Sequence, residues 1–364
     1  MKADFAWLNH EMEANALEAL RATAGTYGPF TRKFEAALAE LCEVEHVICM
    51  SSGTAAMHLI MVAMGIGPGD EVILPAFSYV ANCEAILHVG AQPVFCDVLP
   101  QSGLIDPAAA ARAVNSSTRA IMVEHLYGHP ADMAALEAIA APRGIHLVED
   151  AAHALGGAVD GRRAGSIGTA NVLSFARKVI DTRSPGGAAA TNDASLGREL
   201  ALLRRHGREV VDGRQIYRPA RVAYNVPIAE VSAAIGIVQL KHLPEFSRRR
   251  ADNARRYRRA LEGHPTVQPM PVADNITHAN LHFAVRSERR QALIEFLQAR
   301  SIPFAIYYAD LVYQQPCFIE RIGHRPGPFP AAETFYESAL RLPCHPGLSD
   351  DDVETVAEAL AAFR

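Results

Sequence analysis

Lysine is scarce in this chain. Its 35 basic residues include only four lysines, Lys2, Lys33, Lys178 and Lys241. Any chemistry that needs a side-chain amine therefore has few places to reside, because arginine stays protonated and forms no Schiff base under ordinary conditions. Six cysteines are present, but none forms a C-x-x-C pair and no His/Cys group has zinc-site spacing. A structural zinc site and a dithiol centre are thereby excluded, and no metal is expected. No uncharged apolar run reaches the roughly 18 residues that span a bilayer. The first residues lack a basic stretch followed by an apolar one, so a secretory leader is not expected. The net charge of −5 is mild and offers no electrostatic reason for nucleic acid or an anionic membrane as partner. No G-x-G-x-x-G follows a strand-like run, which argues against a nicotinamide-binding Rossmann unit. A reducing cytoplasm fits these features.

What is present is an alternation. Short apolar runs at His46 to Met50, Glu71 to Pro75, Pro93 to Val98, Arg119 to Glu124 and Ile145 to Glu149 read as buried strands. Helical stretches such as Thr54 to Met64 and Pro130 to Ala140 separate them. Strand and helix in turn, with continuously apolar strands, predict an α/β fold with a mostly parallel sheet covered on both faces. Helical periodicity resumes over Ile228 to Leu243 and again over Ser247 to Leu261, and Pro265, Pro269 and Pro271 then break it. With 364 residues, two domains are the natural division, placed at 1–245 and 246–364.

Ligands in such sheets gather at the carboxyl ends of the strands, and four segments there carry candidate chemistry. Ser51-Ser52-Gly53-Thr54 joins a strand to a helix. Its backbone amides and the Thr54 hydroxyl suit a phosphate, although plain helix capping explains the same residues. Val148-Glu149-Asp150 delivers an acidic pair to a strand end. A carboxylate from Asp150 can keep a pyridine nitrogen protonated so that the ring acts as an electron sink, or it can simply favour a helix start. Tyr79, after Pro75-Ala76-Phe77-Ser78, offers a flat ring for stacking or for the core. Lys178 is the one lysine that follows a strand-like run inside the alternating region; Lys33 and Lys241 fall on polar helix faces and Lys2 on the terminus.

These segments, in their order, resemble the DegT/DnrJ/EryC1/StrS aminotransferases over nearly the whole chain. Tyr27-Gly28-Pro29, Gly67-Pro68-Gly69-Asp70-Glu71-Val72, His125-Leu126-Tyr127-Gly128-His129-Pro130-Ala131-Asp132-Met133, Glu149-Asp150-Ala151-Ala152-His153-Ala154, Tyr224-Asn225 and Leu342-Pro343 add to the likeness. The resemblance implies a fold-type I transferase that uses pyridoxal 5'-phosphate. It implies amino transfer from glutamate or glutamine to a keto sugar, nucleotide-linked, or to a keto-cyclitol, in antibiotic or polysaccharide biosynthesis. It assigns the phosphate to Gly53, Thr54 and Ser174, ring stacking to Tyr79, the pyridine nitrogen to Asp150 and a ring contact to His153. It gives Asn225 a reach to the neighbouring subunit's phosphate in a homodimer with shared sites, and Lys178 the covalent role.

Departures from the pattern leave alternatives open. Relatives place the lysine five residues after the serine; here Lys178 is the fourth residue after Ser174 and Val179 the fifth. Either one residue has moved from before the lysine to after it, or the lysine is lost and Lys178 is a neighbour. The Gly-Glu-Gly-Gly of relatives is altered around Gly186-Gly187, an arginine two residues after Asn225 is replaced by Pro227, and a histidine is replaced by Tyr307. A dehydratase or lyase, or a non-catalytic homologue with a degenerate site, is the alternative reading.

Overall fold

The computed structural model describes every residue except 1–4, 6, 23, 24, 26, 212, 213, 218–221 and 325; Lys2 lies outside this set. Seven strands form the central sheet: β1 (His46–Met50), β2 (Glu71–Pro75), β3 (Gln92–Cys96), β4 (Thr118–Glu124), β5 (His146–Asp150), β6 (Ala170–Ser174) and β7 (Gly187–Thr191). Their order is β1-β7-β6-β5-β4-β2-β3. Only β7 runs antiparallel to its neighbours. The helices are α1 (His10–Arg21), α2 (Pro29–Cys42), α3 (Gly53–Ala63), α4 (Val80–His88), α5 (Pro107–Ala113), α6 (Met133–Ala140), α7 (Ala194–Leu203), α8 (Glu230–Ala260), α9 (Arg290–Ala299), α10 (Pro316–Ile322), α11 (Pro330–Ser338) and α12 (Asp350–Ala362).

The predicted sheet has both faces buried, and side-chain alternation shows why its strands read as apolar throughout. Ile48, Val172 and Ala189 enter one core, while Val47, Leu173, Ala188 and Ala190 enter another. A third core gathers Tyr257, Phe283, Val285, Leu293, Leu342 and Val356 around a small antiparallel sheet. That sheet is β8 (Gln268–Pro269), β9 (Phe283–Arg286) and β10 (Ala339–Leu342). Among the described residues no helix is long and apolar enough to cross a membrane.

Two contacts position the site. Gly187, at the start of β7, presses on the first turn of α3. A Cβ there would stand 2.3 Å from the Gly53 nitrogen and 2.5 Å from the Ser52 carbonyl carbon, so only glycine fits. The second contact is Glu230, at the start of α8 and 1% exposed. Its carboxylate accepts backbone N–H bonds from Gly28 (2.7 Å), Phe30 (2.9 Å) and Thr31 (3.0 Å), and a bond from the Thr31 hydroxyl. Three amides of the first turn of α2 are satisfied by one buried anion at the positive end of the helix dipole.

The expected pair of helices around residue 245 is a single helix. α8 runs unbroken through Pro244, although proline there removes one intrahelical bond. Packing against α1, α2 and α12 holds both halves in line. The domain division placed at 245 thus falls inside a helix.

Replacing Glu230 by Ala strips three buried amides of their acceptor at once. Each buried unpaired donor costs about 1–3 kcal/mol, so Glu230→Ala should lower unfolding stability by ~3 kcal/mol or more in a denaturant titration. A loss under 1 kcal/mol would show that the amides find other partners.

Candidate active site

Gly53, Thr54, Tyr79, Asp150, His153, Ser174 and Lys178 stand at the carboxyl edge of the parallel strands. Lys178 sits in the loop between β6 and β7, residues 175–186. Its Nζ lies 2.9 Å from His153 Nε2 and 3.4 Å from the Tyr307 hydroxyl. The same nitrogen lies 5.8 Å from the Tyr79 ring centre and 5.7 Å from that of Tyr307. The loop is braced locally: Thr182 N–H bonds to Phe175 O at 3.0 Å, and Asp181 accepts the Arg183 N–H at 3.0 Å. Arg177 and Arg183 adopt left-handed backbone with φ of 53° and 62°, a conformation non-glycine residues seldom take. Val179 is buried in a core that includes Phe175, Ile180 and Leu281.

Asp150 ends β5 and is 3% exposed. One carboxylate oxygen accepts the Ala152 N–H at 3.0 Å, and the other accepts the Asn82 amide at 3.2 Å. Burial pushes its carboxyl above the usual range, while the Ala152 amide and the Lys178 charge act the other way. Its sequence neighbour Glu149 has a different task, because successive side chains of a strand face opposite ways. Glu149 bonds to His125 at 2.7 Å and to the amides of Gly165, Ile167 and Gly168 at 2.8, 2.6 and 2.6 Å. Burial pushes Glu149 up, but the His125 bond and charge, with the backbone amides, hold it below its ordinary value. Of the acidic pair, Asp150 alone is left near the lysine.

At the start of α3, the Ser52 side chain caps the helix by accepting the Ala55 N–H at 3.0 Å. The capping explanation therefore holds for Ser52, and the first-turn amides at Gly53 and Thr54 have no intrahelical acceptor. Gly53 is packed on Ser174; a Cβ at 53 would come within 3.2 Å of the Ser174 Cβ. Thr54 and Ser174 are both half-buried. Asn225 is exposed and shares no hydrogen bond with the other candidates among the described residues. Its segment nevertheless runs beside this turn, since Ser51 N–H bonds to Val226 O at 2.8 Å. Tyr79 precedes α4 and leaves 43% of its surface open.

Several neighbours escaped the sequence reading. Glu124 ends β4 directly beside Asp150 in register. It accepts from the Ser78 hydroxyl and the Tyr79 N–H, each at 3.0 Å, from Asn82 at 3.3 Å, and from the Tyr308 hydroxyl. The signal was available, because Glu124 is an acidic residue at the end of an apolar strand, as Asp150 is. Asn82, buried in α4, bridges the two carboxylates and carries no sequence signal of its own. His153 is buried, and burial first, then the Lys178 charge, push it well below the ordinary histidine range. It is the neutral acceptor of a lysine N–H bond.

The arrangement places an amine, a buried carboxylate, an open aromatic ring and a helix N-terminus at one edge of the sheet. It suits a planar, phosphorylated, pyridine-like group carrying an electrophile. Comparison with known proteins agrees. The family model of the DegT/DnrJ/EryC1/StrS aminotransferase family matches residues 7–361. A dTDP-3-amino-3,4,6-trideoxy-alpha-D-glucose transaminase of Streptomyces venezuelae is 35% identical, covering 99% of this chain and 94% of the relative. The crystal structure of S. venezuelae DesV superposes with a TM-score of 0.91 at 35% identity, over 96% of this chain and 93% of that one. The PLP form of the putative sugar aminotransferase Spr1654 from Streptococcus pneumoniae gives a TM-score of 0.91 at 26% identity, over 99% and 97% of the two chains. The likeness thus extends along nearly the full length, and the chain belongs to the DegT/DnrJ/EryC1/StrS aminotransferase family.

Proposed function

We propose that this aminotransferase uses pyridoxal 5'-phosphate and moves an amino group from glutamate or glutamine to a keto sugar carried on a nucleotide, or to a keto-cyclitol. The cofactor, when bound, supplies an aldehyde that takes up the amino group and a pyridine ring that takes up electron density. Gly53, Thr54 and Ser174 would hold its phosphate, Tyr79 its ring face and Asp150 its ring nitrogen. The observation that carries the reading is the Lys178 Nζ, 2.9 Å from the buried His153 imidazole and 3.4 Å from the Tyr307 hydroxyl.

Each chain residue then has a defined task. Lys178 takes the proton from the donor's α-carbon and returns it at the carbon that receives the amine. His153 stays neutral and accepts a hydrogen bond from the amine, so it orients Lys178 without repelling it further. Asp150 would face the ring nitrogen; burial pushes its carboxyl up, and the Ala152 amide, the Lys178 charge and Asn82 act towards the anion. Tyr307, where relatives carry a histidine, puts a phenol against the amine, and this change favours an acceptor that differs from theirs.

The chain is further proposed to work as a homodimer, with Asn225 reaching the partner's phosphate. Its exposure beside the Ser51 turn supports this. Light scattering at micromolar concentration should give twice the 39.3 kDa chain mass; a monomer would remove this part of the reading.

Lys178→Ala should abolish the visible absorbance that added pyridoxal phosphate produces, and lower amino transfer from glutamate by about three orders of magnitude or more. A variant that keeps both would exclude Lys178. Glutamate added to the wild type should yield 2-oxoglutarate, which a lyase or a non-catalytic homologue does not generate.

Glu124 sets a pH dependence of stability. Burial, and then the charge of Asp150, push it from 4.5 up to about 7. The unfolded chain gives up this proton first, so stability is full below pH 4.5 and falls as pH climbs towards 7. For one buried carboxyl the loss is ~3 kcal/mol. Thermal melts of Glu124→Gln between pH 5 and 7.5 should decline less than those of the wild type; parallel curves would contradict it.

A further inference from the structure

Glu124 closes β4 beside Asp150 in parallel register and is 3% exposed. A carboxyl group so buried is costly unless its oxygens are bonded. Both oxygens of Glu124 are bonded, and each partner is itself tied to the site. Oε2 accepts the Ser78 hydroxyl and the Tyr79 N–H at 3.0 Å each, and the Asn82 amide at 3.3 Å. Oε1 accepts the Tyr308 hydroxyl. Ser78, Tyr79 and Asn82 belong to the opening of α4, whereas Tyr308 follows α9. One side chain of the large sheet thus joins two distant stretches of chain.

The partners lead on to three parts of the site. Asn82 is fully buried. Its amide nitrogen has two N–H bonds to give, and its acceptors are Ser78 Oγ at 2.9 Å, Asp150 Oδ2 at 3.2 Å and Glu124. The carboxyl groups of Glu124 and Asp150 are therefore held against one shared donor. The bond from the Tyr79 N–H fixes the backbone from which the half-open Tyr79 ring projects. Tyr308 stacks on Tyr307, with ring centres 4.9 Å apart and planes inclined by 28°. The Tyr307 hydroxyl in turn lies 3.4 Å from the Lys178 nitrogen. Tyr308 also borders Tyr79, with 5.5 Å between ring centres. At one remove, Glu124 touches the carboxylate, the open ring and the amine.

We propose that Glu124 is a positioning residue for amino transfer, holding Asp150 and Tyr79 through the opening of α4 and holding Tyr307 against Lys178 through Tyr308. The proposal rests on the reading that Asp150 and Tyr79 meet the cofactor ring. Glu124 acts by contact and not by charge. A glutamine has the same reach. Its carbonyl oxygen can accept from Ser78, Tyr79 and Asn82, and its amide can donate to the Tyr308 oxygen, because a hydroxyl serves as donor or as acceptor. An aspartate keeps the charge but is one carbon shorter, so it cannot meet α4 and Tyr308 together. Misplacing reacting groups by about 1 Å costs up to about 100-fold in rate.

The test compares Glu124→Gln, Glu124→Asp and Tyr308→Phe by titration with pyridoxal phosphate, by the visible absorbance maximum and by kcat and KM for glutamate. Glu124→Gln should keep the cofactor Kd and kcat within threefold of wild type. Glu124→Asp should raise the cofactor Kd at least tenfold, move the absorbance maximum and lower kcat by about 10- to 100-fold, with the glutamate KM within threefold. Tyr308→Phe cuts the arm to Tyr307 alone; it should lower kcat at least fivefold while the cofactor Kd stays within threefold. Glu124→Gln as impaired as Glu124→Asp overturns the proposal, since charge is then the cause. Wild-type values in Glu124→Asp, or a wild-type kcat in Tyr308→Phe, also overturn it. Melting curves show whether Glu124→Asp folds; if it does not, Tyr308→Phe decides. Asp150→Asn tests the underlying reading by itself, with amino transfer expected to fall at least tenfold. Wild-type transfer there removes that reading and with it the Asn82 arm, while Tyr308→Phe still decides the arm to Lys178.

Discussion

Backbone presses on backbone where Gly187 crosses the first turn of α3. No side chain can enter that crossing, because the Gly53 nitrogen is already 2.3 Å from where a Cβ would start. Three parts of the site hang on it. It sets how closely Ser174, paired with Gly187 across the β6–β7 ladder, approaches Gly53. It fixes the closing end of the loop that carries Lys178. It also holds the amides of α3 at the same edge as Asp150. Moving any of these apart by an ångström would change the spacing of the α3 amides, the Lys178 amine and the Asp150 carboxylate, and geometry of that kind dominates reactivity when reactants are held rather than met by diffusion.

Electrostatics completes what the crossing arranges. The carboxyl edge of the sheet holds Glu124, Glu149 and Asp150, all buried. They differ in what neutralises them. Glu149 is locked by His125 and three amides. Glu124 is surrounded by hydroxyls and amides without a formal cation. Asp150 faces the one lysine of the region. Neighbouring acids thus divide into one held by a histidine and backbone amides, one that holds its proton near neutrality and one that faces a lysine. Buried polar networks of this kind are stable only when each member is satisfied, and Asn82 is the member that serves two acids at once.

Much of the large sheet was legible because its strands are apolar on both faces and run between helices of ordinary length. β7 was not. Its Gly-Ala-Ala-Ala-Thr is a poor strand former by composition; small residues are there because α3 and the neighbouring strands leave no room for larger ones. The unbroken α8 was also hidden, since Pro244 reads as a stop and only packing against α1, α2 and α12 overrides it. At the site, Lys178 stood out by the scarcity of its kind, Asp150 and Tyr79 by position, and His153 through the family resemblance. Glu124 obeyed the same strand-end rule and was passed over. Asn82 was invisible, because a residue whose partners come from distant segments carries no signal of its own in the sequence. Single-residue displacement in the lysine loop was legible as a discrepancy, and its outcome depends on the left-handed turns at Arg177 and Arg183, which no pattern of polarity reveals.

α8 has a mechanical consequence. At a rise of 1.5 Å per residue, its 31 residues make a rod of about 46 Å. One end grips α2 through Glu230 and the far half carries Arg250 and joins the third core. A relative motion of the C-terminal part cannot be taken up by a slack connector; it has to flex this rod, and the weak point is the missing amide at Pro244. Opening and closing would be a matter of bending stiffness, with a leak of torque straight into the floor beneath the lysine loop through the bond from Arg250 to Val179.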